Sequence, residues 1–335
     1  MQLDSGLFIY EHDFLSGADS SDNNIVRQAG ATFALGEYYQ HSGDKAAKRA
    51  IAKARKAFNR NAVEWKSGRL LAFEGKPGQA KAGATALAVL AVLLSTNDAG
   101  VLQSDGQLNA WLNGLLALQQ QDGGFASKPG SNKQSAYSNG EIWLALATYI
   151  DRNGDEADGK LTAALERADE EFMARYRVMP DIGFFHWGMM AAAARYWSTR
   201  DSRFAEFIAN QTTLFLERLR PRMSRKSNSC YSVEGLLAGL KVLKAEADYQ
   251  TLVRQIRQRV DKEMEKNRAL QVLPGQDRIL FSRSHYLISA HLNRYAGAFL
   301  NGKYRPQIRI DATQHCLSAM IRENALAGAG NSERE

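Results

Sequence analysis

The 335-residue chain has only two cysteines, Cys230 and Cys316. They make neither the disulfide framework of a small secreted scaffold nor the Cys/His spacing of a zinc knuckle. Long apolar runs are missing too. The longest, Ala82–Leu94, has the length of a core helix and falls short of a membrane span. No segment interleaves basic and aromatic residues as a single-strand binder does, and no nucleic-acid motif is present. No export signal is visible. The chain enters its fold almost at once, at Leu7–Tyr10, so the expected compartment is the cytoplasm as the sequence stands and the periplasm if a leader has been removed.

What is present is ordinary globular material with a basic bias. Hydrophobic residues make up 44% and charged residues 24%, so a buried core is expected throughout. The net charge of +7 favours an anionic partner such as nucleic acid, a membrane surface or an acidic polysaccharide. The densest basic segments, Lys45–Lys56 and Arg218–Lys226, read as solvated faces of outer helices.

Helical periodicity recurs over Asn24–His41, Asp44–Asn59, Lys81–Ser95, Gly106–Gln121, Tyr137–Ile150, Lys160–Tyr176, Phe184–Ser198, Arg203–Leu219, Tyr231–Lys244, Ala247–Lys266 and Asp311–Asn324. A further helix is expected over Ser284–Tyr295, and a short hairpin over Val63–Phe73 turning on Ser67-Gly68. Five of the helices begin with a small-residue motif whose glycines fall at 30, 83, 140, 188 and 235, with spacings of 53, 57, 48 and 47. That period holds one helical hairpin. The repeating helices are apolar all round and should form an inner, buried set. Their partners carry charge on one face and should lie outside. Inner and outer helices alternating over about six hairpins close into a ring. The expected fold is therefore all-α, an (α/α) toroid spanning residues 1–324 as a single domain. Residues 325–335 read as a disordered tail.

This layout resembles the six-hairpin α/α toroids of terpenoid cyclases and protein prenyltransferases, and of many glycoside hydrolases, uronyl epimerases and polysaccharide lyases. The segment Gln119–Phe125 is similar to the Gln-x-x-x-Gly-Gly-Phe turn of the first branch. The resemblance implies a structural role there, with Gly123 and Gly124 adopting positive φ and Phe125 packing between hairpins. The acidic motif of triterpene cyclases and the zinc ligands of prenyltransferases are absent. The combination Asp22-Asn23-x-x-x-Arg27-Gln28-x-Gly30, Gly140-Glu141 and Arg309-x-Asp311-x-x-Gln314-His315 resembles little-characterised bacterial toroid proteins, and implies a shared pocket.

In such a ring the loops entering the inner helices face one mouth. Four polar clusters fall there. Asp22, Asn23, Arg27 and Gln28 precede Gly30, and an arginine at an apolar helix start needs a buried partner or an anionic ligand. Tyr137 precedes Glu141, whose carboxylate at the head of an apolar helix suits a general base, a nucleophile or a hydroxyl acceptor. His186 and Trp187 suit proton transfer and sugar stacking. Arg309, Asp311, Gln314 and His315 form the densest polar run, and Glu234 stands at the same rim. Glu141, His186, His315 and Asp311 are the catalytic candidates. Asp22, Asn23, Arg27, Gln28, Tyr137, Trp187, Arg309 and Gln314 are the substrate-binding candidates. Nothing in the spacing calls for a cofactor or a metal.

The function expected is that of a carbohydrate-active enzyme on an anionic, uronic-acid-type saccharide. Its acid/base chemistry would be hydrolysis, elimination or epimerisation. The alternatives are a non-catalytic toroid binding a polysaccharide or protein partner in an export or assembly system and, behind it, a terpenoid-cyclase-like enzyme.

Overall fold

The computed structural model describes residues 1–332. Its helices in chain order are α1 (Ile25–Ser42), α2 (Lys45–Arg60), α3 (Ala82–Leu93), α4 (Ala99–Gln103), α5 (Gly106–Leu116), α6 (Ala136–Asn153), α7 (Gly159–Val178), α8 (Ile182–Thr199), α9 (Ser202–Leu214), α10 (Cys230–Leu243), α11 (Gln250–Arg268) and α12 (Ile310–Ser332). Helices α1, α3, α6, α8, α10 and α12 pack side by side in that order, and α12 closes the ring on α1. Helices α2, α5, α7, α9 and α11 lie outside α1, α3, α6, α8 and α10 respectively.

Side-chain pattern explains which helix goes where. Every residue of α3 is buried, as an inner helix requires. Helix α2 buries only Ala47, Ile51, Ala54, Ala57 and Phe58, and its lysines and arginines face out. Outer helices start on aspartates: Asp44, Asp158 and Asp201 each accept a first-turn backbone N–H. The Asn24 side chain caps α1 by accepting from Val26 N and Arg27 N.

The strands lie outside this pattern. The expected hairpin is β3 (Ala62–Trp65) with β4 (Gly68–Leu71), turning on Lys66 and Ser67. A four-stranded sheet of order β2-β1-β8-β7 joins β1 (Glu11–Asp13) and β2 (Ala18–Asp19) to β7 (Leu300–Gly302) and β8 (Arg305–Arg309). Strand β8 runs straight into α12, which carries the sheet to the mouth of the ring.

Three expectations are corrected. Where a helix was expected over Ser284–Tyr295, β5 (Arg278–Ser282) pairs antiparallel with β6 (His285–Ile288). Ile279 and Leu287 are buried while Leu280, Tyr286 and Ile288 are exposed, an alternation of period two. Helix α12 continues past Asn324 to Ser332, through much of the stretch read as a tail; residues 333–335 lie outside the described residues. In the Gln-x-x-x-Gly-Gly-Phe turn only Gly123 takes positive φ (94°), against the Arg167 carbonyl; Gly124 is required because Gln134 fills the space of a Cβ. Phe125 is fully buried against Phe172 of α7, as the resemblance implied.

Four of the five periodic glycines are places of close approach between inner helices; Gly188 instead makes room for the Phe184 ring of its own helix. A Cβ on Gly30 would meet Gln314 Oε1 at 2.5 Å, one on Gly140 would meet Trp187 Cβ at 2.6 Å, and one on Gly235 would meet His186 Cα at 2.8 Å. A Cβ on Gly83 would overlap the Glu141 carboxylate.

The cysteines, left unpaired in the sequence reading, form a disulfide between the first turn of α10 and the second turn of α12, with Cα atoms 4.8 Å apart. Ring closure brings together residues 86 apart in sequence, so local spacing carried no sign of the pairing. Both are fully buried. Removing a bond that closes so long a loop should cost about 2–5 kcal/mol. Protein denatured without reductant should titrate no free thiol, and two after reduction. Two thiols without reductant would reject the pairing.

Candidate functional site

The first turns of the inner helices surround a cavity of about 630 Å³. Arg27 of α1, Glu141 of α6, His186 and Trp187 of α8, and Gln314 and His315 of α12 all line it, with Arg309 and Asp311 at its edge. The structure therefore gathers most of the residues singled out at the mouth. Tyr137 lines the rim and is half exposed.

Three candidates are not in the cavity lining. Asp22 is exposed. Asn23 accepts from Gln28 Nε2 at 2.9 Å. The fully buried Gln28 bonds both backbone groups of Phe8, at 2.8 and 2.9 Å, and so fastens the N-terminal segment to the ring. Lys81, Tyr231 and Asn24 line the cavity and were not singled out. Lys81 opens α3, where only its position at an inner-helix start marked it.

Asp311 is clasped by two guanidiniums: Arg27 Nε donates at 2.9 Å, and Arg309 Nε and Nη2 at 2.6 and 3.0 Å. Burial alone would raise its carboxyl, but Arg309 and Arg27 outweigh this and hold it below the ordinary range. Asp311 is thus an anchor that orients two cations. Arg27 also bonds the Tyr10 hydroxyl.

Glu141 is 3% exposed, and burial, opposed by the charge of His315, pushes its carboxyl up to about 8. It is a neutral acid at pH 7. Behind His315 stands the fully buried Glu234 on α10, whose carboxylate accepts from His315 Nδ1 at 2.6 Å. Burial works against a charged imidazole, but Glu234 prevails and raises His315 above its usual value. His186, 2% exposed, goes the other way: burial first, then repulsion from His315 and Arg322, keeps it neutral. Neither of its ring nitrogens has a partner among the described residues. The two rings meet edge to face with centroids 5.2 Å apart.

The arrangement can move protons: a neutral imidazole, a second imidazole whose hold on a proton a carboxylate strengthens, and a protonated carboxyl. His186, Glu234 and His315 are also the trio that could hold a metal ion, with donor atoms within 4.8 Å of one another.

No protein-family model matches the chain, and no curated protein matches its sequence. Among solved structures it is similar to an α-1,6-mannanase from Salegentibacter sp. HEL1_6, at 11% identity and TM-score 0.68 over 97% of this chain and 94% of that one. It is also similar to a sugar epimerase from a ruminal bacterium, at 10% identity and TM-score 0.63 over 96% and 94%. A third is an unsaturated glucuronyl hydrolase specific for heparin, at 11% and 0.62 over 97% and 93%. The chain is an α/α toroid. The likeness is one of fold.

Two predictions follow from the buried carboxyl. An unfolded Glu141 titrates near 4.5 and the folded one at about 8. The native state therefore holds the proton more tightly, and the group's contribution to stability falls as pH rises from 4.5 to 8, by at most roughly 5 kcal/mol. Glu141→Gln lacks this titration, so its Tm should exceed wild type increasingly from pH 5 to pH 9. Parallel Tm curves would show that Glu141 is not a buried acid. Gly83→Ala should destabilise by about 1–3 kcal/mol, because the new methyl displaces that carboxyl. Combined with Glu141→Ala it should cost clearly less, and strict additivity would remove the close approach from the account.

Proposed function

We propose that the chain is a carbohydrate-active enzyme that abstracts a proton next to the carboxylate of a uronic-acid-type saccharide. The observation that carries this is the meeting, in one cavity, of the His186–His315 pair, protonated Glu141 and the cations Arg27, Lys81 and Arg309. Carbohydrate-active enzymes with the same fold support the saccharide part of the reading.

The carbon-bound proton of a uronate is weakly acidic because its carboxylate already carries a charge. Cations and a hydrogen-bond-donating carboxylic acid on that carboxylate stabilise the negative charge that grows as the proton leaves. Arg27, Lys81 and Arg309 supply the first, and Glu141 the second. Neutral His186 takes the proton. His315, whose hold on a proton Glu234 strengthens, gives that proton to the departing glycosidic oxygen. Base and acid adjoin on one wall, which suits β-elimination. Hydrolysis would use two free carboxyls flanking the bond. Here Asp311 is bound to two arginines and Glu234 to His315, which leaves Glu141 alone.

Epimerisation is the second reading. Glu141 sits on α6, three inner helices round the ring from His315 on α12, so these two groups can serve opposite faces of a bound sugar.

The test is a screen against uronic-acid polysaccharides and oligosaccharides, reading ultraviolet absorbance from unsaturated ends and solvent deuterium incorporation at carbon. New absorbance marks elimination; deuterium without chain cleavage marks epimerisation. His186→Ala and Glu141→Gln should each lower kcat by about 10²–10⁴ while circular dichroism stays unchanged. New reducing ends with neither signal would establish hydrolysis and overturn this reading.

A further inference from the structure

A second, smaller cavity of about 160 Å³ adjoins the first and shares Tyr231 with it. It is built largely by the basic segment Arg218–Lys226, by the start of α10 and by one face of α11. Arg220 and Arg222 reach it from the segment, Arg259 from α11, and Ser229 and Ser232 from the head of α10.

Its charge is unbalanced. Three guanidiniums face one carboxylate, Glu263. That carboxylate is already engaged by Arg259 Nε at 2.9 Å, Lys266 Nζ at 2.8 Å and the Ser229 hydroxyl at 2.5 Å. Arg222 makes no hydrogen bond or ion pair among the described residues, and Arg259 donates a hydrogen bond there only through Nε. Arg220 donates to the Tyr231 hydroxyl at 2.9 Å. Ser232 is 3% exposed, lines the cavity, and its hydroxyl has no partner among the described residues. The unpaired hydroxyl of the nearly buried Ser232 thus shares the cavity with Arg220 and Arg222, two exposed guanidiniums that no carboxylate among the described residues engages: donors without an acceptor.

We propose that this cavity is a subsite for a tetrahedral oxyanion, a sulfate or phosphate ester carried by the substrate. The donors converge from three elements and so require acceptor oxygens pointing in several directions, which a tetrahedral group has and a planar carboxylate lacks. Guanidinium forks and hydroxyls match such oxygens, and the N-terminus of α10 adds partial positive charge. The Tyr231 ring, 5.5 Å from His186 and 6.2 Å from His315, forms the wall between the ester and the proton-transfer groups. That the carrier is a saccharide rests on the function proposed above; the anion site itself does not.

Isothermal titration of the full chain with inorganic sulfate and with inorganic phosphate, at physiological ionic strength, tests the site directly. One anion should bind per chain. Arg222→Gln and Arg220→Gln should each weaken binding about tenfold, and Arg27→Gln in the large cavity should leave it unchanged. Absence of saturable binding, equal affinity for acetate, or loss on Arg27→Gln alone would each overturn the proposal. Where a uronate saccharide is turned over, Arg222→Gln should raise KM for its sulfated form about tenfold and leave the desulfated form unaffected. If no saccharide reacts while the anion still binds, the enzymatic reading falls and the oxyanion site stands.

Discussion

An inner ring of six helices leaves little room at its head, and the polar groups there exist because neighbouring helices give up side chains to make space. The Glu141 carboxyl occupies the volume a Cβ would fill on Gly83, Gln314 that of Gly30, and His186 leans its backbone on Gly235. Each pairing joins a site residue on one inner helix to a missing side chain on the next. The same substitution of hydrogen for methyl therefore sets the spacing of the ring and the depth of the cavity. A larger residue at any of these positions would move a helix and a reacting group together.

Such a constraint leaves a trace in sequence, which is why the ring was legible before the structure. The glycine period and the contrast between apolar α3 and amphipathic α2 sufficed for the architecture. Position at the head of an inner helix also marked Arg27, Glu141, His186, Arg309 and His315. Gln28 shows the limit of that reasoning. Gln28 lies at the same helix head as Arg27, but the free backbone groups of Phe8 claim its amide and take it out of the cavity lining. Lys81 was passed over because no polar cluster surrounds it. The Cys230–Cys316 bond was invisible, and Glu234, expected at the same rim as His315, gave no sign of being its buried partner, because both contacts bridge α10 and α12 across a long intervening segment that only closure of the ring brings together.

Within the cavity, protonation states are set jointly. Glu234 strengthens the hold of His315 on a proton, and the positive charge His315 carries when protonated disfavours charge on His186 while tempering the rise of Glu141. Altering Glu234 would disturb three titrations although it does not line the cavity. The oxyanion pocket is electrically different: it holds cations with no internal counter-charge to spare, and Tyr231 keeps the two regions apart.

The closing contact between α12 and α1 joins the last helix made to the first. During vectorial synthesis the face of α1 that α12 will cover must wait, exposed, while some 270 further residues emerge. Contacts of such long sequence separation form late and slowly. His315, Gln314 and Asp311 all arrive with α12, so a nascent chain can hold five inner helices in near-final order and still lack a complete cavity. The cavity is complete only when the ring shuts.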